Sequence, residues 1–149
     1  MTDNSSLFHT ILVPIDNTES SMNAGRLAMR LAEQNHARLF FVYVVDPSLA
    51  QAISRDSGKE PRLVESELTS TADRRLNDLS RLARETRLDA GRTIRSGEPR
   101  KEIEDLAAKQ NADLIVIGQK DEGTRDQSAA GDVAGQVIEH APCPVLVVQ

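Results

Sequence analysis

Residues 113–118 read DLIVIG, and this short stretch decides the architecture. Leu114, Ile115, Val116 and Ile117 follow one another with no polar position between them. A run apolar at every position suits a strand covered on both faces, as in a parallel sheet between helices. Gly118 leaves the strand, a polar stretch follows, and Gly131 stands at the head of a helical pattern. Strand, glycine, loop and glycine at a helix start is a frame in which many α/β folds hold a phosphate. Yet this loop carries Asp121, Glu122, Asp126 and Asp132, so its charge opposes a phosphate.

Working outward, TILVPI (10–15) and RLFFVYVV (38–45) are also continuous apolar runs and read as buried strands. Between them, Met22, Leu27, Ala28, Leu31 and Ala32 share one helical face, with Thr18, Ser20 and Ser21 as candidate N-caps. The stretch PSLAQAISRDSGKEPR (47–62) is polar without a strong period and predicts a surface excursion. From Arg62 a long helix begins, with Leu68, Ala72, Leu76, Leu79 and Ala83 at intervals of three or four. GRTIRSG (91–97) is a weakly marked strand. The next helix opens with Pro99 in its first turn, the favoured place for proline, and turns Ile103, Leu106 and Ala107 inward. A last helix over 129–141 packs Val133, Val137 and Ile138, and CPVLVV (143–148) supplies a fifth strand. Such alternation predicts an α/β fold: three α/β/α layers around an open five-stranded parallel sheet, Rossmann-like, with right-handed crossovers. No repeat, linker or low-complexity segment divides residues 1–149, which reads as a single domain.

Composition narrows the function. With 3% aromatic residues the core must be aliphatic, and a net charge of -5 argues against a nucleic-acid partner. No apolar run approaches the roughly 18–20 residues that span a bilayer, so no membrane partner is expected. MTDNSSLFHT (1–10) lacks the basic and apolar parts of a secretory signal, and one cysteine, Cys143, forms no internal disulfide. A cytoplasmic location follows as the expectation.

Ligands of open parallel sheets bind beyond the carboxyl ends of the strands. That points to one cleft formed by residues near 14–16, 44–46 and 118–134. At these places the chain resembles the universal stress protein family, through TILVPIDNTESS (10–21), GEPRKEIEDLAAKQNADLIVIG (97–118) and GDVAGQVIEHAPCPVLVV (131–148). The resemblance implies an adenine nucleotide alpha hydrolase-like fold, a cytoplasmic homodimer and, in many members, bound ATP. The nucleotide-binding members carry glycine, two residues, glycine, nine residues, then glycine followed by serine or threonine. Here Gly118 takes the first place, Asp121 the second, Gly131 the third and Asp132 the hydroxyl position, with Ala134 where a further hydroxyl commonly sits. Aspartate at 121 adds bulk and charge, and ionised aspartate at 132 can only accept hydrogen bonds. Two like charges about 4 Å apart cost on the order of 4 kcal/mol near a protein surface. An exposed helix N-terminus returns only about 0.3–1 kcal/mol. Lys120, Arg125 or a bridging magnesium would offset part of that repulsion.

The resemblance therefore implies a stress-response regulatory or protective factor, not an enzyme, that does not bind ATP tightly. The other reading is a stress sensor for ATP, AMP or cyclic AMP, with magnesium. Its binding residues would be Pro14, Asp16, Val44, Gly118, Gly131 and Val133. Asp16 serves equally well as a helix cap, and Gly131 and Gly135 equally well as close-packing positions. The four loop carboxylates lack the spacing of a calcium loop, and His9, His36 and His140 lack that of a zinc site, so no metal site is expected. Cys143 reads as a packed thiol rather than a redox sensor. Family dimers commonly use the last strand, so Val145, Leu146, Val147 and Val148 are the expected homodimer edge. A regulatory protein partner is also expected, with 47–62 as its candidate contact.

Overall fold

In the computed structural model, which describes residues 6–119 and 132–149, TILVPI forms strand β1 (Thr10–Ile15). Ile11, Leu12 and Val13 of that strand have no exposed surface. The chain continues through α1 (Glu19–Asn35), β2 (Arg38–Val45), α2 (Pro47–Ser57), α3 (Pro61–Glu85), β3 (Ala90–Ser96) and α4 (Pro99–Lys109). It then forms β4 (Leu114–Gly118), α5 (Val133–His140) and β5 (Val145–Val148). The strands are all parallel, in the order β3-β2-β1-β4-β5. Strand order thus reverses direction between β1 and β4, where such sheets leave a crevice at their carboxyl ends.

Strand alternation divides the core into two layers. Ile11, Val13 and Ile15 of β1, with Leu39, Phe41 and Tyr43 of β2, pack under α1 and α3. Leu12, Val42, Ile115 and Ile117 pack on the opposite face, against Ile103, Leu106 and Ala107 of α4 and Val137 of α5. The expected three-layer α/β/α sheet is therefore the fold adopted. Asp113 braces it across a long stretch of sequence. Its carboxylate accepts from the N–H groups of His9, at 2.8 Å, and Thr10, at 3.1 Å, at the start of β1.

Three expectations need correction. Residues 47–57, expected as a polar surface excursion without a strong period, lie at the surface but form helix α2. Its signals are local: Asp46 caps the first turn, Pro47 opens it, and Gly58 ends it at φ 76°. The weak period has a reason, since Ala50 is the helix's one buried side chain. Ile138, expected to pack, is 54% exposed. Helix α5 packs on the sheet face that it shares with α4, and its covered stripe is Ala134 and Val137. That helix starts at Val133; residues 129–131 of its expected span lie outside the described residues. β5 is shorter than the expected CPVLVV strand: Cys143 and Pro144 precede it, and of these the Pro144 carbonyl still accepts from Ile115 N.

Candidate functional site

A cleft of about 440 Å³ opens at the carboxyl end of the sheet. Asp46, Pro47 and Ser48 line it from the end of β2, and Gly97, Glu98 and Pro99 from the end of β3. Val133 and Gln136 of α5 close it. Three helices, α2, α4 and α5, begin at this cleft, and a helix start attracts anions through its unsatisfied N–H groups. Here every one of the three N-caps is a carboxylate: Asp46, Glu98 and Asp132. Asp46 accepts from Ser48 N and Asp132 from Gly135 N, each at 2.9 Å. Glu98 makes no capping bond; it lies 3.7 Å from Arg100 and 3.8 Å from Lys101. Arg95 and Arg100 are also engaged, with Glu102 at 3.7 Å and Glu104 at 3.1 Å. The cleft thus offers an incoming anion carboxylates where donors would be needed.

Asp132 and Gly135 form a matched pair. A Cβ on residue 135 would fall 2.1 Å from the Asp132 carboxylate, so the glycine makes room for the cap. Gly118 has a comparable structural task. A Cβ there would lie 2.6 Å from the backbone of Ser20 and Ser21, so β4 ends directly against the first turn of α1. Ser20 Oγ donates to Gln119 O at 2.6 Å and locks that approach.

Asp16 is exposed, and its Oδ1 accepts from Thr18 N at 2.8 Å and from Thr18 Oγ1. Thr18 in turn caps α1 by accepting from Ser21 N. Asp16 therefore orients the cap, and of the three candidate cap residues Thr18 is the one used. Ser21, 3% exposed, accepts from Asp16 N and donates to Thr18 O. Pro14 is buried in β1 opposite Val42. Val44 and Val133 are half-buried on the α4/α5 side of the sheet. Gly131, Asp121, Glu122, Asp126, Lys120 and Arg125 lie outside the described residues.

The residues at the end of β3 escaped the sequence reading. Gly97 has φ 152°, a conformation that favours glycine, and Pro99 follows two positions later. SGEP (96–99) was the available signal, but β3 itself is weakly marked. Cys143 has its thiol pushed up by burial and, secondarily, by Asp113, so it stays protonated. Tyr43 is pushed up to about 12 by burial first and by the Asp16 charge second, while its hydroxyl donates to Asn17 Oδ1 at 2.6 Å. Among the described residues, no cluster of three or more His, Cys, Asp or Glu could hold a metal, and no helix is long and apolar enough to cross a membrane.

The model of the universal stress protein family matches residues 7–149. The chain belongs to the universal stress protein family. A universal stress protein of Methanocaldococcus jannaschii is 31% identical over 143 residues, covering 96% of this chain and 83% of its own. Among solved structures, the universal stress protein UspA from Lactobacillus plantarum superposes with a TM-score of 0.78 at 27% identity, covering 95% of this chain and 97% of its own. A universal stress protein in complex with cyclic AMP gives 0.68 at 22% identity, over 97% of this chain and 98% of its own. One from Archaeoglobus fulgidus in complex with dAMP gives 0.65 at 20% identity, over 96% and 99%. These last two establish a shared fold.

Proposed function

We propose that this universal stress protein is a cytoplasmic, homodimeric regulatory or protective factor that performs no catalysis of its own and does not hold ATP tightly. One observation carries the reading: the Asp132 carboxylate accepts the Gly135 N–H at the head of α5. The chain's own carboxylate sits where a phosphate would meet that helix start, so a triphosphate would have to displace it or share its space. Like charges about 4 Å apart cost on the order of 4 kcal/mol, well above the roughly 0.3–1 kcal/mol that an exposed helix start returns. The dimer is supported by β5, an edge strand whose Leu146 is 38% exposed on one face while Ile138 of α5 is exposed on the other.

A second reading, an adenine mononucleotide sensor, has its own support. The cleft joins half-buried Val133 to Asp46, and solved relatives hold cyclic AMP and dAMP. Fewer phosphates would meet the carboxylates, and Pro14, Asp16, Val44, Gly118, Gly131 and Val133 would surround such a ligand.

Melting temperatures with ATP, AMP and cyclic AMP, each with magnesium at millimolar concentration, separate the two. A ligand at about 100 times its Kd adds roughly 2.7 kcal/mol, which is about 5–11 °C in a domain of this size. The leading reading predicts no shift with ATP, and an ATP shift of that size contradicts it. A shift with AMP or cyclic AMP alone, abolished by Asp16→Ala, selects the sensor.

A further inference from the structure

The two edges of the sheet differ in chemistry: β5 is apolar, whereas β3 is basic. Leu39 N donates to Asp89 O, and Gly97 N donates to Val45 O. In a parallel ladder these two bonds fix the alternation along β3. Odd-numbered residues from 89 to 97 turn their N–H and C=O groups toward β2, while Ala90, Arg92, Ile94 and Ser96 turn theirs outward. Among the described residues no strand pairs with that outer side.

Ala90 and Ile94 pack into the core layer beneath α3. Arg92 lies on the same face, and its guanidinium donates to Asn77 of α3. Asn77 thereby marks the flank of α3 that borders the open edge. Arg74, Arg81 and Arg84 lie three, four and seven residues from it and share that flank, together with Asp73. These four arginines are exposed. Segment 73–95 holds seven arginines, one of them (Arg95) paired with Glu102, against four acids, in a chain whose net charge is -5. Two of those acids are already engaged: Asp78 with Arg81 at 2.7 Å and Asp89 with Arg38 at 3.2 Å.

We propose that the β3 edge takes an acidic, extended segment of a partner protein as a sixth strand, with Arg92, Arg74 and Arg84 meeting its carboxylates. Strand addition supplies main-chain hydrogen bonds, and the arginines supply the choice of sequence. A second copy of the chain is the wrong occupant, because β3 against itself sets arginine beside arginine. The net negative charge of the whole chain disfavours nucleic acid.

Fluorescence anisotropy with a seven-residue peptide of alternating glutamate and valine, matched to the seven residues of β3, tests the proposal. The peptide should bind, more weakly as salt rises, and the double variant Arg84→Glu with Arg92→Glu should weaken it by about tenfold or more. The same peptide N-methylated at alternate residues should not bind, since it cannot complete a ladder. Circular dichroism and melting establish that the double variant is folded, and Arg84→Gln with Arg92→Gln repeats the test more gently. The proposal is overturned by absence of binding at millimolar peptide, by equal binding of the N-methylated or a lysine–valine peptide, or by folded variants that bind unchanged. A single-stranded oligonucleotide that outcompetes the peptide would also overturn it, in favour of nucleic acid.

Discussion

Asp132 fills two roles that the sequence presents as one anomaly. As a departure from the family's hydroxyl it reads as a loss, whereas in the folded chain it is the N-cap of α5, with Gly135 left bare to receive it. The departure was legible; the capping bond was not, because it depends on where α5 begins. Gly118 shows the converse, since its place in the motif suggests phosphate contact while its surroundings are the backbone of α1. Tyr43, the one tyrosine in the chain, gives a pH-dependent test at this scale. The unfolded chain releases its phenolic proton near pH 10 and the folded chain near pH 12. Between those values the native state keeps a proton that the unfolded state has lost. Stability is therefore intact below pH 10 and declines by up to about 3 kcal/mol as the pH rises to 12. Denaturant titrations of the parent and Tyr43→Phe across that range should show a steeper decline in the parent. Equal slopes would remove the assignment.

Helix α2 shows how an element can hide from periodicity. With Ala50 as its one buried side chain, apolar spacing had little to report, and the informative residues were Asp46, Pro47 and Gly58 at its ends. A helix with so little burial depends on its cap. Asp46→Ala should cost about 0.5–2 kcal/mol. Hydrogen exchange should accelerate first in residues 47–57, while the sheet keeps its protection; uniform loss of protection would mean that α2 is held by something other than its cap. β1, β2 and β4 were legible because burial on both faces writes an uninterrupted apolar run. β3 was faint because an edge strand tolerates glycine, threonine and arginine, and with it went the part of the cleft formed by Gly97, Glu98 and Pro99.

At the scale of the whole molecule, one sheet presents two edges with opposite tendencies. The β5 edge shows apolar side chains, and the proposed homodimer forms there. Leu146→Glu would place a charge at that contact, so light scattering should find the parent dimeric and the variant monomeric. An unchanged dimer would move the interface elsewhere. The carboxyl ends of the strands gather three helix starts with carboxylates at their N-cap positions, two of them in capping bonds, which is an arrangement that repels the ligand its geometry would otherwise suit. Serine at position 132 would keep a capping oxygen, remove the charge and add a donor. The most direct measurement is a calorimetric titration of magnesium-ATP into the parent chain and into Asp132→Ser, side by side. Heat of binding in the variant and none in the parent is the predicted result; tight binding by the parent would contradict the claim that its own carboxylate excludes the triphosphate.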